Sequence, residues 1–155
     1  MAVFTDAQTD AINAQGGSVL VSAAAGSGKT TVLIERIIRM ITRRENPIDV
    51  DRLLIVTFTR AAASEMKERL AKAINSLLEN DPYNSLLLRQ RQLMYNTSIC
   101  TIDSFCGDIV REYFHTLNVA RDFRIADEGE LEILRQEALN IVFEHFYDIE
   151  DKGFL

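Results

Sequence analysis

The chain has 155 residues, 47% of them apolar and 26% charged, with a net charge of −6 at pH 7. That is enough for one domain with a real core, and the usage is that of a soluble globular protein rather than a disordered one. No apolar stretch approaches the roughly 20 residues of a membrane span, the first residues lack the basic head and apolar run of a secretory signal, and the acidic balance speaks against holding nucleic acid by charge alone. A local groove built on stacking and backbone donors stays open, and a cytoplasmic setting is expected. Cys100 and Cys106 form no C-x-x-C and fall in apolar surroundings, so reduced core cysteines are expected rather than a disulfide or metal site.

In chain order, Thr5 with Gln8 spells a capping box and predicts a short helix over about residues 6–14. Gln15-Gly16-Gly17 is a turn into the apolar run Val19-Leu20-Val21, predicted as a strand. A glycine-bearing loop follows, and then a helix with Leu33, Ile34, Ile37, Ile38 and Ile41 on one face. Arg36, Arg39, Arg43 and Arg44 read as its solvated side. Leu53-Leu54-Ile55-Val56 is a continuous apolar run, the mark of a strand covered on both faces. A helix from about Ala61 to Leu78 places Ala62, Met66, Leu70, Ile74 and Leu77 on one side. A short helix between Ser85 and Tyr95 precedes a third strand, Ile99–Ile102, and the helix from Ser104 to Leu117 turns Cys106, Ile109, Val110, Tyr113 and Leu117 inward. Asp127 with Glu130 caps a last amphipathic helix over about Glu128–Tyr147. Strands separated by helices imply parallel pairing and an α/β layered fold.

The chemistry concentrates in Ala23-Ala24-Ala25-Gly26-Ser27-Gly28-Lys29-Thr30. Strand, glycine loop and helix is the context in which such a loop cradles phosphate. Gly26 and Gly28 let the backbone curl so that successive N–H groups converge on phosphate oxygens. Lys29 reaches the β- and γ-phosphates, and the Thr30 hydroxyl, followed by Thr31 at the helix start, sits on Mg2+. Ala23 stands where the strict G-x-x-x-x-G-K-[ST] pattern has glycine. A hydrolysing protein of this kind also needs an acidic residue at the end of a second apolar strand. Asp127-Glu128 offers the spelling, but Arg124 falls inside the preceding segment, so Asp127 reads as a helix cap. The chain is therefore expected to be the front piece of a longer protein.

The motifs around the loop resemble those of superfamily 1 (UvrD/Rep-like) DNA helicases. Phe4-Thr5-Asp6-Ala7-Gln8-Thr9-Asp10-Ala11-Ile12 is similar to their glutamine motif, and Ala23–Thr30 to their form of the phosphate loop. Thr57-Phe58-Thr59-Arg60-Ala61-Ala62 looks like their motif Ia and Thr101-Ile102-Asp103-Ser104-Phe105-Cys106 like motif Ib. Within the superfamily the chain is most similar to the A-type subunits of bacterial ATP-dependent helicase/nucleases (AddA type), over almost its whole length. Arg60 stands where asparagine is frequent, and Asp103 where histidine is.

The resemblance implies a RecA-like P-loop core, a partial parallel sheet flanked by helices, over 1–126 as subdomain 1A without its Walker B strand. Residues 127–155 then begin a helical subdomain 1B. It implies ATP with Mg2+ as cofactors, held by Gln8, Ala23, Ala24, Ala25, Gly26, Ser27, Gly28, Lys29, Thr30 and Thr31, with Lys29 and Thr30 catalytic. Gln8 reads adenine through its amide, which offers the donor and acceptor that N6 and N7 need; the alternative is a plain capping glutamine. Thr57, Phe58, Thr59, Arg60 and Ser104 contact DNA, with Phe58 stacking on a base. On pattern alone Phe58 is a core residue, and the hydroxyls are caps. The whole protein is expected to couple ATP hydrolysis to movement along single-stranded DNA in double-strand-break repair. A nuclease domain lies elsewhere in it, a B-type subunit is its heterodimer partner, and it has no membrane association. The alternatives are a P-loop small-molecule kinase and a non-catalytic nucleotide-binding module.

Overall fold

A computed structural model of the chain describes residues 4–24, 26–149 and 153. The elements run α1 (Asp6–Asn13), α2 (Lys29–Thr42), a 3-10 turn (Val50–Arg52), β1 (Leu54–Thr57), α3 (Arg60–Asn80), α4 (Ser85–Leu93), β2 (Ser98–Thr101), α5 (Ile102–Glu112) and α6 (Glu128–Asp148). Thr5 caps α1 with the reciprocal box its sequence spells, and Asp127 with Glu130 does the same for α6. Thr59 caps α3 by accepting the Ala62 N–H, and Asn84 caps α4 by accepting that of Leu87.

β1 and β2 pair in parallel, Leu54 opposite Ser98 through Thr57 opposite Thr101. Parallel strands require a crossover, which α3 and α4 supply. The predicted strand at Val19–Val21 does not form: the described sheet has two strands, and Leu20 is 94% exposed. An extended segment becomes a strand only when a neighbour takes up its N–H and C=O groups. β1 and β2 pair with each other along one edge each, and neither takes Val19–Val21 on its other edge. β1 itself is covered on one face rather than on both. Leu54 and Val56 are about half exposed, while Ile55 packs on the core from the other side.

The core lies where α2, α3 and α4 meet. Ile37, Ile38 and Ile41 of α2 pack with Leu70, Ile74 and Leu78 of α3, together with Val50, Leu87 and Met94. The buried ridge of α3 is Ala63, Met66, Leu70, Ile74 and Leu78, so its ends use Ala63 and Leu78 where the pattern predicts Ala62 and Leu77. On α2, Val32 is buried and Leu33 is not. Each correction is a rotation of one residue, about 100° on a helix, too fine for an apolar pattern to resolve. Gln90 is the fully buried polar side chain at the core's edge. Its Oε1 accepts the Val50 N–H at 2.9 Å and its Nε2 donates to Asp49 Oδ1 at 3.1 Å. Asp49 also accepts Arg89 Nε at 3.0 Å and Nη2 at 2.7 Å, which ties the 3-10 turn to α4. A buried amide needs partners of this kind. The Arg89 guanidinium, with help from Gln90, holds the Asp49 carboxyl below its ordinary range.

The chain divides into two compact units, the first ending at Ile109 and the second starting at Val110. The expected inward face of α5 is not buried: Cys106, Ile109, Tyr113 and Leu117 are all exposed, and Cys100 is half-buried. Neither cysteine is the core residue that its apolar surroundings predict. In the second unit Arg111 stacks over the Phe123 ring at 5.4 Å, and Arg124 forms an ion pair with Glu130. That pairing, with the Asp127 backbone N–H, keeps the Glu130 carboxyl below its usual range. No residue of α6 is buried. Its apolar residues, from Leu131 through Leu134, Leu139 and Val142 to Tyr147, occupy most of its circumference rather than the single stripe of an amphipathic helix.

Candidate functional site

The loop from Ala23 to Thr30 curls as its glycines allow. Gly26 has φ +77° and Gly28 φ +82°, the left-handed region that glycine enters without steric cost. Ser27 N–H donates to Ala24 O at 3.3 Å. Gly28 then serves as the N-cap of α2 without any side-chain cap, and the first intrahelical bond is Val32 N–H to Gly28 O at 2.9 Å. The N–H groups of Lys29, Thr30 and Thr31 therefore have no acceptor within the helix, and the first turn holds no acidic residue. Unused donors and the positive end of the helix dipole favour an anion at this point. Ala25 lies outside the described residues.

Lys29 does not point away from the loop. Its ammonium donates to Ala23 O and Ala24 O, each at 2.6 Å, so the residue expected to grip phosphate closes the loop on itself. Thr30 and Thr31 are exposed beside it. Among the described residues no group of three or more His, Cys, Asp or Glu could hold a metal ion. The unused N–H donors of the loop suit a phosphate, whereas for Mg2+ the described residues here would offer the Thr30 hydroxyl and no carboxylate cluster. Asp127, whose spelling alone suggests a magnesium carboxylate, is engaged as the cap of α6.

Gln8 joins the loop from α1. Its Oε1 accepts the Thr5 N–H at 2.9 Å, and its Nε2 donates to Ser27 O at 3.1 Å. The capping glutamine and the loop-facing glutamine are thus one residue in one pose. A primary amide has two N–H donors and two acceptor lone pairs. The cap and the loop contact use one of each, leaving a donor and an acceptor for a ligand. An open cavity of about 420 Å³ adjoins this point, lined by Gln8, Ala11, Val19, Val21, Ser27 and Lys29 among others.

A second group of expected site residues gathers at the carboxyl ends of the strands. Thr57 lies opposite Thr101 in the ladder, and Ser104 Oγ is 2.9 Å from Thr101 Oγ1. Sheet pairing therefore sets Thr57 beside Thr101, and the Thr101 hydroxyl in turn meets Ser104. Phe58 is 93% exposed, which removes it from the core. The Thr57 hydroxyl donates to Thr59 O at 2.9 Å and the Thr59 hydroxyl caps α3 at 3.1 Å, so both serve the turn itself. Arg60 opens α3 with no acidic residue in that first turn, an unfavourable place for a cation unless an anion joins it. Asp103 sits in the first turn of α5, where the dipole favours it.

Two arginines of the expected solvated face have partners. Arg36 Nη1 donates to Ala11 O at 2.7 Å and Ile12 O at 3.3 Å, and Arg39 Nη1 donates to Asn13 Oδ1 at 2.7 Å. Helical periodicity marks them as polar positions, and no periodicity can show an acceptor carried by another helix.

A loop of this geometry ahead of an uncapped helix, braced by a glutamine, is compatible with a P-loop core. The sequence matches the UvrD/REP helicase N-terminal domain over residues 4–154, and the chain belongs to that family. It is 53% identical over 152 residues to the A-type subunit of the ATP-dependent helicase/nuclease of Clostridioides difficile, covering 98% of this chain and 12% of that protein. The corresponding subunit of Anoxybacillus flavithermus is 51% identical, with 98% and 13% covered, and that of Acetivibrio thermocellus 52%, with 97% and 12%. The chain thus spans about an eighth of the length of these curated relatives.

Proposed function

We propose that this chain is the ATP-binding front part of an ATP-dependent DNA helicase/nuclease subunit that moves along single-stranded DNA during double-strand-break repair. The observation that carries this reading is the loop. Two left-handed glycines deliver an uncapped helix start, a lysine and a threonine to one point, with the Gln8 amide docked on the same loop. In the nucleotide complex Lys29 exchanges the Ala23 and Ala24 carbonyls for the β- and γ-phosphates, the free N–H groups of α2 and the loop take further oxygens, and Gln8 reads the adenine. Thr30 would help to hold Mg2+, which would supply charge neutralisation.

Thr57, Phe58, Thr59, Arg60 and Ser104 form the DNA-facing edge of a RecA-like core over 1–126, with a helical subdomain beginning at 127. Phe58 offers a free ring for a base, a contact worth ~1–3 kcal/mol, and Arg60 with the start of α3 offers charge for a phosphate. The nuclease activity, the B-type heterodimer partner and a cytoplasmic setting belong to the whole protein.

Calorimetric titration with ATP and Mg2+, together with ATPase assays with and without single-stranded DNA, tests the reading. ATP is expected to bind, and Lys29→Ala to abolish binding with an unchanged circular dichroism spectrum. The 155-residue chain itself is expected to turn over no ATP, because phosphoryl transfer depends on positioned charge that it does not carry. A missing arginine finger alone costs ~10³–10⁵ in rate. Equal affinity in parent and variant ends the phosphate-loop reading. DNA-stimulated turnover by the chain alone overturns its inactivity and makes Asp127 or Glu128 a catalytic carboxylate.

A further inference from the structure

α1 has eight residues and one buried side chain, Ile12. A helix so short has little stability of its own in water, and its seat is loosely filled. A cavity of about 420 Å³ opens beside Ala7, Gln8 and Ala11, and another of about 450 Å³ beside Ile12, Asn13 and Ala14. Beside the buried Ile12, polar ties near its two ends hold α1. Toward its N-terminus, Gln8 Nε2 bonds Ser27 O of the phosphate loop. At the other end, the last carbonyls of a helix lack intrahelical donors, and Arg36 supplies one to both Ala11 O and Ile12 O. Arg39 adds a contact to Asn13 but is shared with Glu35 and exposed, so Arg36 is the stronger tie.

Arg36 sits on α2, the helix that begins with Lys29, seven residues and about 10 Å along the axis from the loop. Its guanidinium is occupied with α1 rather than with the phosphate cradle. We propose that Arg36 is a positioning residue for base recognition. By fixing the carboxyl end of α1 to α2, it sets where the Gln8 amide stands over the loop, and so how well the site prefers adenine to guanine. This role rests on Gln8 reading the base, as proposed above. It makes α1 a strut pinned at both ends to the element that carries the phosphate grip, so the base reader and the phosphate grip keep one spacing.

The test is calorimetric binding of ATP, GTP and inorganic tripolyphosphate, each with Mg2+, to the parent, Gln8→Ala, Arg36→Gln, Arg36→Lys and the double variant Gln8→Ala/Arg36→Gln. Arg36→Gln is expected to reduce the preference for ATP over GTP by about tenfold, the order of discrimination one hydrogen-bonded base contact supplies. Tripolyphosphate affinity stays within about twofold of the parent. Lysine, which can reach one carbonyl, restores part of the preference. The double variant is no less selective than Gln8→Ala, since both changes remove the same contact.

An Arg36→Gln chain of lower Tm with the parental ATP/GTP ratio makes Arg36 a structural tie only and overturns the proposal. Equal losses for ATP and tripolyphosphate overturn it too, because the effect then lies in the loop. If Gln8→Ala leaves the ratio unchanged, or the parent shows no ratio, the adenine reading fails and this role falls with it. If Gln8→Ala removes the ratio and Arg36→Gln does not, only the role of Arg36 fails. A parent that binds neither ATP nor tripolyphosphate overturns both.

Discussion

α3 and α6 are both 21 residues long, and they meet opposite ends. α3 buries Ala63, Met66, Leu70, Ile74 and Leu78 along one ridge, against β2, α2 and α4. α6 is as rich in apolar residues and buries none of them. The difference lies in arrangement. In α3 the apolar positions recur at three- and four-residue steps with charged residues elsewhere, so one face suffices for the core. In α6 they are spread around the helix, a distribution suited to a helix covered on several sides. Amount of apolar surface does not decide burial; its arrangement and the neighbours available do.

The largest test of that contrast is truncation within the two helices. Leu70→Ala is expected to cost ~2–5 kcal/mol, since it empties a fully buried site. Leu134→Ala should stay within about 0.5 kcal/mol, as for other exposed positions. Urea unfolding monitored by circular dichroism measures both. A loss at Leu134 matching that at Leu70 would mean that α6 is buried in solution.

The caps sharpen the comparison at a smaller scale. Thr59→Ala removes the acceptor of the Ala62 N–H and should cost about 1 kcal/mol of unfolding free energy, because α3 is part of the core. Asp127→Ala removes an equivalent bond to the Glu130 N–H. With nothing buried on α6, the loss should appear as fraying of its first turn, seen as faster amide exchange near Glu128–Leu131, while the main unfolding transition stays in place. A matching shift of that transition would contradict the contrast.

The smallest effect concerns acid. Asp49 and Glu130 both titrate below their ordinary values, Asp49 chiefly through Arg89 and Glu130 chiefly through Arg124. A carboxyl lowered in the folded state contributes stability above its unfolded pKa, near 4, and loses it as pH falls through the folded value. Acidification below about pH 4 should therefore weaken both regions, the first through the 3-10 turn and α4, the second through the start of α6. Carbon-detected carboxyl titration reads each site. Arg124→Ala should return Glu130 toward the ordinary range and leave Asp49 unmoved; movement of Asp49 would show that the two sites are coupled.

Much of the fold is legible in the sequence because it depends on neighbours along the chain. The boxes at Thr5/Gln8 and Asp127/Glu130, the left-handed glycines of the loop, the strands near Leu54 and Ile99, and the helices between them are set by residues within about four positions of one another. The place of Phe58 is not legible in this way. A phenylalanine after an apolar run reads as core, and its exposure depends on which side of the sheet is covered. The tie made by Arg36 escapes the pattern because its acceptors belong to another helix. The fate of Val19–Val21 escapes it because strand character requires a partner segment, and the apolar run says nothing about whether one is present.

By itself, then, the sequence determined the local devices: caps, glycine conformations, helix periods, and the order of motifs that marks the family. Those follow from steric freedom and short-range hydrogen bonding, which act over a few residues. Tertiary structure alone decided which apolar faces are covered, how Gln8 serves both its cap and the loop, that Lys29 closes on Ala23 and Ala24, and that Thr57 meets Thr101. Each of these is a contact that packing and the need of every donor for an acceptor select, beyond the reach of any pattern in neighbouring residues.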